Sequence, residues 1–324
     1  MISRKTAVLF GYHNIGCAGL RTLHDLGLRV ELVVTHEDDP NENQWFDSLA
    51  ATAAGLGIEA ITPARPGDPE VVAALARLAP DYILSFYYRH MIPTRVLEMA
   101  RIAALNLHGS LLPRYRGRCP VNWVILNQER ETGVTLHYMT GKADAGDIVA
   151  QHVIPIAPRE TPLTLFAKVE REGVQLLREI YPALASGKLP RTVQDASRAT
   201  YYGGRRPEDG RIDWNQPAAA IDALVRAVTH PYPGAFTTHR GQNLLIWESS
   251  PLAPAPGVRP GAIAIEGGRV LVGTGSGRLE LKLVQQDGEP ELAAGAWARS
   301  RARAGEMLGE PAAARQASPS GGQP

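Results

Sequence analysis

The sequence has little cysteine, almost no net charge and no long apolar run at its start. Cys17 and Cys119 form no Cys-x-x-Cys or Cys/His cluster, which argues against a disulfide framework and against structural zinc. The 34 basic side chains nearly balance the 33 acidic ones, so the overall charge attracts neither nucleic acid nor an anionic membrane. The first apolar run, 7–10, is too short for a signal peptide or a membrane-spanning helix. We expect a cytoplasmic protein that binds no metal, no nucleic acid and no membrane.

The pattern of apolar residues in the first 190 positions predicts strands that alternate with helices. It opens with a buried strand at 7–10, a turn at 11–16 and a helix at 18–26. Further strands are predicted at 30–35, 58–61, 82–86, 103–107, 134–139 and 148–156, and further helices at 44–54, 68–78 with Asp68 as N-cap, and 163–181. This alternation is typical of a Rossmann-like, doubly wound and mostly parallel sheet, which binds ligands beyond the carboxyl ends of its strands.

The composition changes after residue 190, and the remaining sequence predicts a smaller β domain. A helix at 218–228 precedes short apolar runs separated by glycine-rich turns, which occur at 244–247, 262–265, 270–272 and 279–284. Such spacing predicts a small antiparallel, barrel-like (OB-like) sheet. The last residues are small, polar and proline-bearing, which is typical of disorder. We therefore predict a catalytic domain at 1–200, a C-terminal domain at 201–308 and a disordered tail at 309–324.

Three polar residues near predicted turns suggest acyl-transfer chemistry. Asn106 and His108 lie two positions apart at the end of a strand, so their side chains are expected on one face. An amide can donate a hydrogen bond to an oxyanion, an imidazole can move a proton near neutral pH, and a carboxylate such as Asp144 can orient the imidazole. The alternative is purely structural: a turn cap, a strand-end histidine and a turn-forming aspartate. Residue spacing alone leaves both interpretations open.

Other candidate binding motifs are weaker. Gly11, Gly16 and Gly19 do not have the GxGxxG spacing, and the next strand does not end in an acidic residue, so a dinucleotide site is disfavoured. His13, His137 and His152 share no metal-ligand spacing. We expect each of these three histidines to be structural.

The segment 106–117, Asn-Leu-His-Gly-Ser-Leu-Leu-Pro-Arg-Tyr-Arg-Gly, together with 132–136 and 144–146, resembles the signature of formyltransferases that use 10-formyltetrahydrofolate. The resemblance extends from about residue 5 to 305. It implies a Rossmann-like catalytic domain followed by a barrel-like domain, with 10-formyltetrahydrofolate as co-substrate. It also implies that His108 donates or accepts the proton, that Asn106 stabilises the oxyanion and that Asp144 keeps the histidine basic. The folate contacts that it implies are His90, Met91, Ile92, Arg118, Thr140, Gly141, Lys142, Ala143 and Asp144.

The formyl acceptor in such enzymes is either a charged initiator tRNA or an amino sugar carried on a nucleotide. The resemblance implies a basic insertion after the second strand in the tRNA enzymes, because tRNA is gripped through its phosphates. Here that region contains Glu37, Asp38, Asp39, Glu42 and Asp47, and residues 30–64 include no lysine or arginine. The sequence therefore favours an amino sugar, and a methionyl-tRNA formyltransferase or a non-catalytic folate- or nucleotide-binding module are the alternatives.

Four further segments, 11–13, 85–90, 120–123 and 204–207, are most similar to the formyltransferases that act on UDP-4-amino-4-deoxy-L-arabinose in lipid A modification and polymyxin resistance. We predict this UDP-linked sugar as the acceptor. The sequence contains no decarboxylase half, so we also expect a separate UDP-glucuronate decarboxylase as a pathway partner. Three arginines beside the presumed catalytic histidine, Arg114, Arg116 and Arg118, are predicted to contact ligands.

Overall fold

A computed structural model describes residues 4–39, 43–253 and 259–309 of the chain. These residues form two compact units, one made of 4–124 and 129–204 and the other of 125–128 and 205–309. The predicted tail lies outside the described residues except for Gly309, and Glu42 of the acidic stretch lies outside them as well. No helix in the described ranges combines the length and the apolar character needed to cross a membrane.

The first unit is built on a seven-stranded sheet with strand order β3-β2-β1-β4-β5-β7-β8. Its strands are β1 (Thr6–Gly11), β2 (Arg29–Val34), β3 (Ala60–Ile61), β4 (Tyr82–Phe86), β5 (Ala103–His108), β7 (Glu131–Tyr138) and β8 (Ile148–Pro155), and a separate ladder pairs β6 (Arg116–Gly117) with β9 (Tyr201–Tyr202). The first five strands in this order, which are β3, β2, β1, β4 and β5, are parallel to one another. Strand β7 is antiparallel to β5, and β8 is antiparallel to β7. The predicted fold class is confirmed.

The helices that precede residue 187 are α1 (His13–Leu26), α2 (Leu49–Gly55), α3 (Pro69–Leu78), α4 (Thr94–Leu97), α5 (Pro120–Leu126) and α6 (Pro162–Ser186). Helices α3 and α6 cover opposite faces of the sheet. On β5, Ala104 belongs to a core that includes Val71 and Leu75 of α3, whereas a Cβ on Gly173 of α6 would lie 3.2 Å from Leu107. Residues an odd number of positions apart on a strand point to opposite faces. The central strands are therefore buried on both sides, which explains their nearly continuous apolar sequence.

The start of α1 differs from its prediction. The sequence suggested a turn at 11–16 and a helix from residue 18, but the helix begins at His13 and includes Gly16 and Gly19. A Cβ on Gly19 would lie 2.5 Å from the Phe86 ring, so this glycine permits close approach of helix and strand. The next predicted helix, 44–54, begins only at Leu49, after the Ser48 hydroxyl accepts a hydrogen bond from the Ala51 N–H at 3.2 Å.

The second unit contains an antiparallel sheet with strand order β10-β11-β14-β13-β12, in which β15 also pairs with β14. Its elements are α7 (Ala218–Val228), β10 (Ala235–His239), β11 (Gln242–Leu252), β12 (Ile263–Glu266), β13 (Arg269–Gly273), β14 (Arg278–Gln286), β15 (Leu292–Ala293) and α8 (Ala294–Arg301). The segment 305–309 bonds to both ends of this order. Gly305 N–H donates to the Ile263 carbonyl at 2.8 Å, and Gly309 N–H donates to the Thr238 carbonyl at 2.8 Å. This segment gives the sheet its barrel-like closure.

Glu306 anchors the closing segment by accepting hydrogen bonds from His239 at 3.0 Å, from the Arg303 N–H at 3.1 Å and from Arg240. The Arg240 hydrogen bond, above all, lowers the pKa of Glu306 to about 2, so ionised Glu306 favours folding above about pH 4.5 and loses this effect as the pH falls toward 2. We expect Glu306→Gln to lower the free energy of unfolding by about 1 kcal/mol at pH 7, a modest value because 26% of the side chain is exposed.

Denaturant unfolding of this variant at pH 7 and at pH 3 measures the effect. The difference from the wild type should shrink at the lower pH. Glu266→Gln, which removes a more exposed ion pair with Arg278, is the control. An equal loss in both variants at pH 7 would contradict a special role for Glu306.

Candidate active site

The structure brings Asn106, His108 and Asp144 together at the carboxyl end of β5. Asn106 and His108 lie on that strand, and Asp144 comes from the loop between β7 and β8. The Asn106 Nδ2 donates to Asp144 Oδ1 at 3.2 Å, and His108 Nδ1 lies 3.6 Å from the same oxygen. The other carboxylate oxygen accepts a hydrogen bond from the Gly117 N–H at 2.8 Å. One carboxylate thus connects the amide and the imidazole.

The backbone of the 144–146 loop is shaped to deliver this carboxylate. Asp144 has a φ of 50°, in the left-handed region that aspartate tolerates better than most residues. A Cβ on Gly146 would lie 1.9 Å from the Tyr138 carbonyl oxygen, so the loop can return this close to β7 only with glycine there. The geometry of the loop therefore requires Gly146 and is compatible with aspartate at position 144.

Asp144 is ionised in this setting although its side chain is only 11% exposed. Burial by itself would raise the pKa of Asp144, but the charge on His108, the hydrogen bond and charge of His137 and the Gly117 N–H outweigh burial and hold the pKa well below its usual range. His108 Nε2 lies 2.8 Å from the Tyr115 carbonyl oxygen. Its two ring nitrogens thus face two acceptor oxygens, one at hydrogen-bond distance and the other 3.6 Å away.

His137 belongs to the same group, although the sequence indicated only a structural role for it. The β5–β7 register places His137 directly opposite Asn106. Its Nε2 lies 3.1 Å from Asn106 Nδ2 and 3.3 Å from Asp144 Oδ1, and its Nδ1 lies 2.8 Å from the Tyr138 carbonyl oxygen. Alternation within β7 shows that His137 points to one face, but only the register between strands shows which residue it meets.

Gln194, which no sequence motif indicates, holds the 144–146 loop in place through side-chain hydrogen bonds. Its amide nitrogen donates to the carbonyl oxygens of Asp144 and Gly146 at 2.8 and 2.5 Å. Its Oε1 accepts from Arg116 Nε and Nη2 at 3.1 and 2.7 Å. Arg116 is buried and also bonds to the Tyr201 hydroxyl, so its donors have protein partners.

We expect Gln194→Ala to lower the free energy of unfolding by about 2 kcal/mol, because a buried guanidinium and two loop carbonyls lose their partner. In a thermal melt the transition should shift down by several degrees. The matched control is Gln175→Ala, whose side chain is exposed on α6 and bonds to Glu179 at 2.7 Å. Equal melting temperatures for the two variants would argue against this support.

The other predicted ligand residues are divided between surface and core. His90 and Met91 are exposed, the latter by 60%, whereas Ile92 packs in the core beside Val96. Thr140, Gly141 and Lys142 are exposed and Ala143 is half-buried. A Cβ on Gly141 would lie 3.1 Å from the Thr94 hydroxyl, so the loop preceding Asp144 runs beside the start of α4, two residues after Ile92.

The three predicted arginines differ in the same way. Arg114 pairs with Glu129, and Arg116 is internal. Arg118 is exposed, and its guanidinium would lie 3.5 Å from a Cβ on Gly204. Of the three, Arg118 has the most exposed position, and its role as a ligand contact stays a prediction. The described part of the chain contains no cluster of three or more histidine, cysteine, aspartate or glutamate side chains suited to a metal ion.

Comparison with known proteins gives a consistent result along most of the chain. The family described as formyl transferase matches residues 4–180, and the formyl transferase C-terminal domain matches 205–302. Solved structures share the fold at low identity. WlaRD, a sugar 3N-formyl transferase crystallised with dTDP and 5-N-formyl-THF, is 18% identical with a TM-score of 0.66 over 88% of this chain and 99% of its own.

Two further structures extend the comparison. The N-formyltransferase from Helicobacter canadensis, in complex with folinic acid and dTDP-3-aminofucose, is 19% identical with a TM-score of 0.67 over 87% of this chain and 99% of its own. HypX from Aquifex aeolicus, in complex with tetrahydrofolic acid, is 20% identical with a TM-score of 0.59 over 90% of this chain but only 46% of its own. These similarities establish a shared architecture.

Proposed function

The chain belongs to the formyl transferase family, and from that premise we propose that it transfers a formyl group from 10-formyltetrahydrofolate to the amino group of a nucleotide-linked amino sugar. One observation carries this proposal. Asn106 and His108 both face one carboxylate oxygen of Asp144, at the carboxyl end of β5. An amide donor, an imidazole and an ionised carboxylate are the groups that formyl transfer to an amine requires.

Each residue has a defined task in the reaction. The amine nitrogen bonds to the formyl carbon, the carbonyl oxygen becomes negative, and the bond from that carbon to N10 of the folate then breaks. Asn106 Nδ2 carries two hydrogens; one is donated to Asp144, and we assign to the other, which faces His137, the hydrogen bond to the oxyanion in the substrate complex. His108 moves the proton: the amine loses one and N10 of tetrahydrofolate gains one. Asp144 stays ionised and orients the imidazole.

Two observations support the folate donor. The similar WlaRD and Helicobacter canadensis structures contain 5-N-formyl-THF and folinic acid, respectively. In this chain the segments 90–92 and 140–144 lie close to each other. Met91 is exposed and offers apolar surface, and residues 140–142 are exposed to solvent. We propose that these segments hold the folate and that Arg118 pairs with an anionic group of one substrate.

The amino-sugar acceptor is supported by charge and by the similar structures. Exposed Glu37 and Asp39 follow the second strand, where a tRNA backbone would be repelled. WlaRD was crystallised with dTDP and the Helicobacter canadensis protein with dTDP-3-aminofucose. UDP-4-amino-4-deoxy-L-arabinose is our first candidate because of the sequence resemblance. The roles in lipid A modification and polymyxin resistance, and a separate UDP-glucuronate decarboxylase as partner, depend on that choice.

A formylation screen read by mass spectrometry tests the proposal. The purified protein and 10-formyltetrahydrofolate are incubated with UDP-4-amino-4-deoxy-L-arabinose, with dTDP-linked 3-amino and 4-amino sugars, and with charged initiator tRNA. We expect a mass gain of one formyl group on an amino sugar, with release of tetrahydrofolate. Formylation of tRNA alone would identify a methionyl-tRNA formyltransferase, and ligand binding without turnover would identify a binding module.

A further inference from the structure

His13, the first residue of α1, is a buried polar side chain without a polar partner. The residue is 9% exposed, and neither ring nitrogen has a hydrogen-bond partner within the described residues. Burial, reinforced by the charge of Arg89, lowers the pKa of His13 to about 4, so the ring is neutral at pH 7 and offers one donor and one acceptor. Its φ of 66° is in the left-handed region. An unsatisfied buried group in a strained backbone conformation is typical of a ligand site.

Aromatic rings surround this imidazole on several sides. Ring centroids lie 4.4 Å away for Trp45, 4.5 Å for Phe46, 5.2 Å for Phe166 and 6.4 Å for Tyr87. We call these five residues the His13 cluster. Apolar ring faces beside a neutral donor and acceptor suit a sugar ring, whose C–H face packs on aromatics and whose hydroxyls both donate and accept hydrogen bonds. They do not suit a diphosphate.

The His13 cluster lies beside the catalytic strand end. Strands β1, β4 and β5 are neighbours in the sheet; His13 lies two residues past the end of β1, and Tyr87 directly follows β4. A Cβ on Gly109 would lie 2.0 Å from the Tyr87 hydroxyl, so Tyr87 rests against the residue that follows His108. Ligands of such sheets bind along these carboxyl ends.

The cluster includes a ring on the face of the sheet opposite to the core that contains Ile92. Phe166 belongs to α6, which covers one face of the sheet, whereas Ile92 belongs to the core that α3 covers on the opposite face. If the donor binds beside 90–92 and 140–144, the acceptor amine must reach the formyl carbon from the other side. That side is the one on which Phe166 of the His13 cluster lies.

We propose that the His13 cluster binds the sugar ring of the acceptor, with the His13 imidazole hydrogen-bonded to a ring hydroxyl and the aromatic rings against the C–H face. This inference rests on the proposed function and assigns its sugar specificity to residues outside the Asn106, His108 and Asp144 group. Because the imidazole makes no polar contact within the described protein, its loss should affect substrate binding more than folding.

Steady-state kinetics of His13→Phe, with the two substrates varied separately, test this. We expect KM for the amino-sugar nucleotide to rise about tenfold, the effect of one lost hydrogen bond, while KM for 10-formyltetrahydrofolate stays unchanged. His13→Asn keeps a donor and an acceptor and tolerates positive φ, so it should give an intermediate KM. The control is His24→Phe, which replaces an exposed histidine of the same helix.

An acceptor lacking one ring hydroxyl sharpens the test. With the analogue that lacks the hydroxyl contacted by His13, the difference between wild type and His13→Phe should disappear. If His13→Phe does not fold, Phe166→Leu should show the same selective rise in the acceptor KM. Unchanged acceptor KM in the folded variants of an active enzyme overturns this inference alone, whereas a wild-type protein that formylates no amino sugar overturns the proposed function and this inference together.

Discussion

Replacing His108 with alanine should lower kcat for formyl transfer by about 10²- to 10⁴-fold, the usual contribution of a positioned general acid or base. The imidazole lies 3.6 Å from Asp144 and 2.8 Å from the Tyr115 carbonyl, and the described residues place no other imidazole between these two groups. KM for either substrate should change little, because the imidazole acts on the proton and supplies little binding area. Single-turnover formylation at saturating donor measures the loss directly.

The control is His152→Ala, which removes a histidine on β8 that pairs with Glu172 and Glu179 on the surface. That variant should keep the wild-type rate. Both proteins should melt within a few degrees of the wild type. A His108→Ala enzyme that retains most of its turnover would remove His108 from the reaction and leave the family assignment intact.

Replacing Asp144 with asparagine should have the second large effect, on the order of 10³-fold in kcat, as expected when the carboxylate partner of a catalytic histidine becomes an amide. Both carboxylate oxygens accept hydrogen bonds, one from Asn106 and the other from the Gly117 N–H. An asparagine must turn its NH₂ toward one of these donors. The variant therefore also loses about 1–3 kcal/mol of unfolding free energy through an unsatisfied donor.

The matched control is Asp147→Asn, three residues later in the chain, where the carboxylate faces Arg191 at 3.6 Å. A pH series adds a second readout. Because the pKa of Asp144 is lowered below its ordinary value of 3.8, the ionised group favours folding at every pH above about 3.8 and loses this effect only at lower pH. The stability difference between wild type and Asp144→Asn should therefore shrink as the pH falls below about 3.8. A difference that persists unchanged at pH 2 would contradict the geometry.

The sequence predicts most of the sheet because burial leaves a strong local signal. The strand at 82–86 and the helix at 218–228 have the predicted bounds. The prediction errors occur where the residue type is set by a contact with a part of the chain that is distant in sequence. Gly16 belongs to the predicted turn at 11–16, but it lies in α1, where a Cβ would be 3.3 Å from Leu49 of α2 and 3.6 Å from the Phe86 carbonyl oxygen. Strand β10 was missed because its alternation is short and ends in polar residues.

The candidate site shows the same limit. Asn106, His108 and Asp144 were found because each has a residue type suited to the chemistry and a motif that resembles a known family. His137 was not found, because its role depends on which residue of β5 it faces. Gln194 lies 50 positions from Asp144 in the chain, and a single glutamine in a polar segment carries no signal of such a contact. Partners of this kind are set by strand register and chain path.

The closing segment 305–309 in the second unit also has a consequence for self-association. Its backbone occupies N–H and carbonyl groups next to β10 and β12, the two ends of the strand order. A protein shortened to residue 304 would expose two unpaired strand edges at once. Such edges recruit strands from other molecules, so the shortened chain would tend to dimerise edge to edge or to aggregate even if its core remained intact. The segment 305–309 thus covers both strand edges of the second unit.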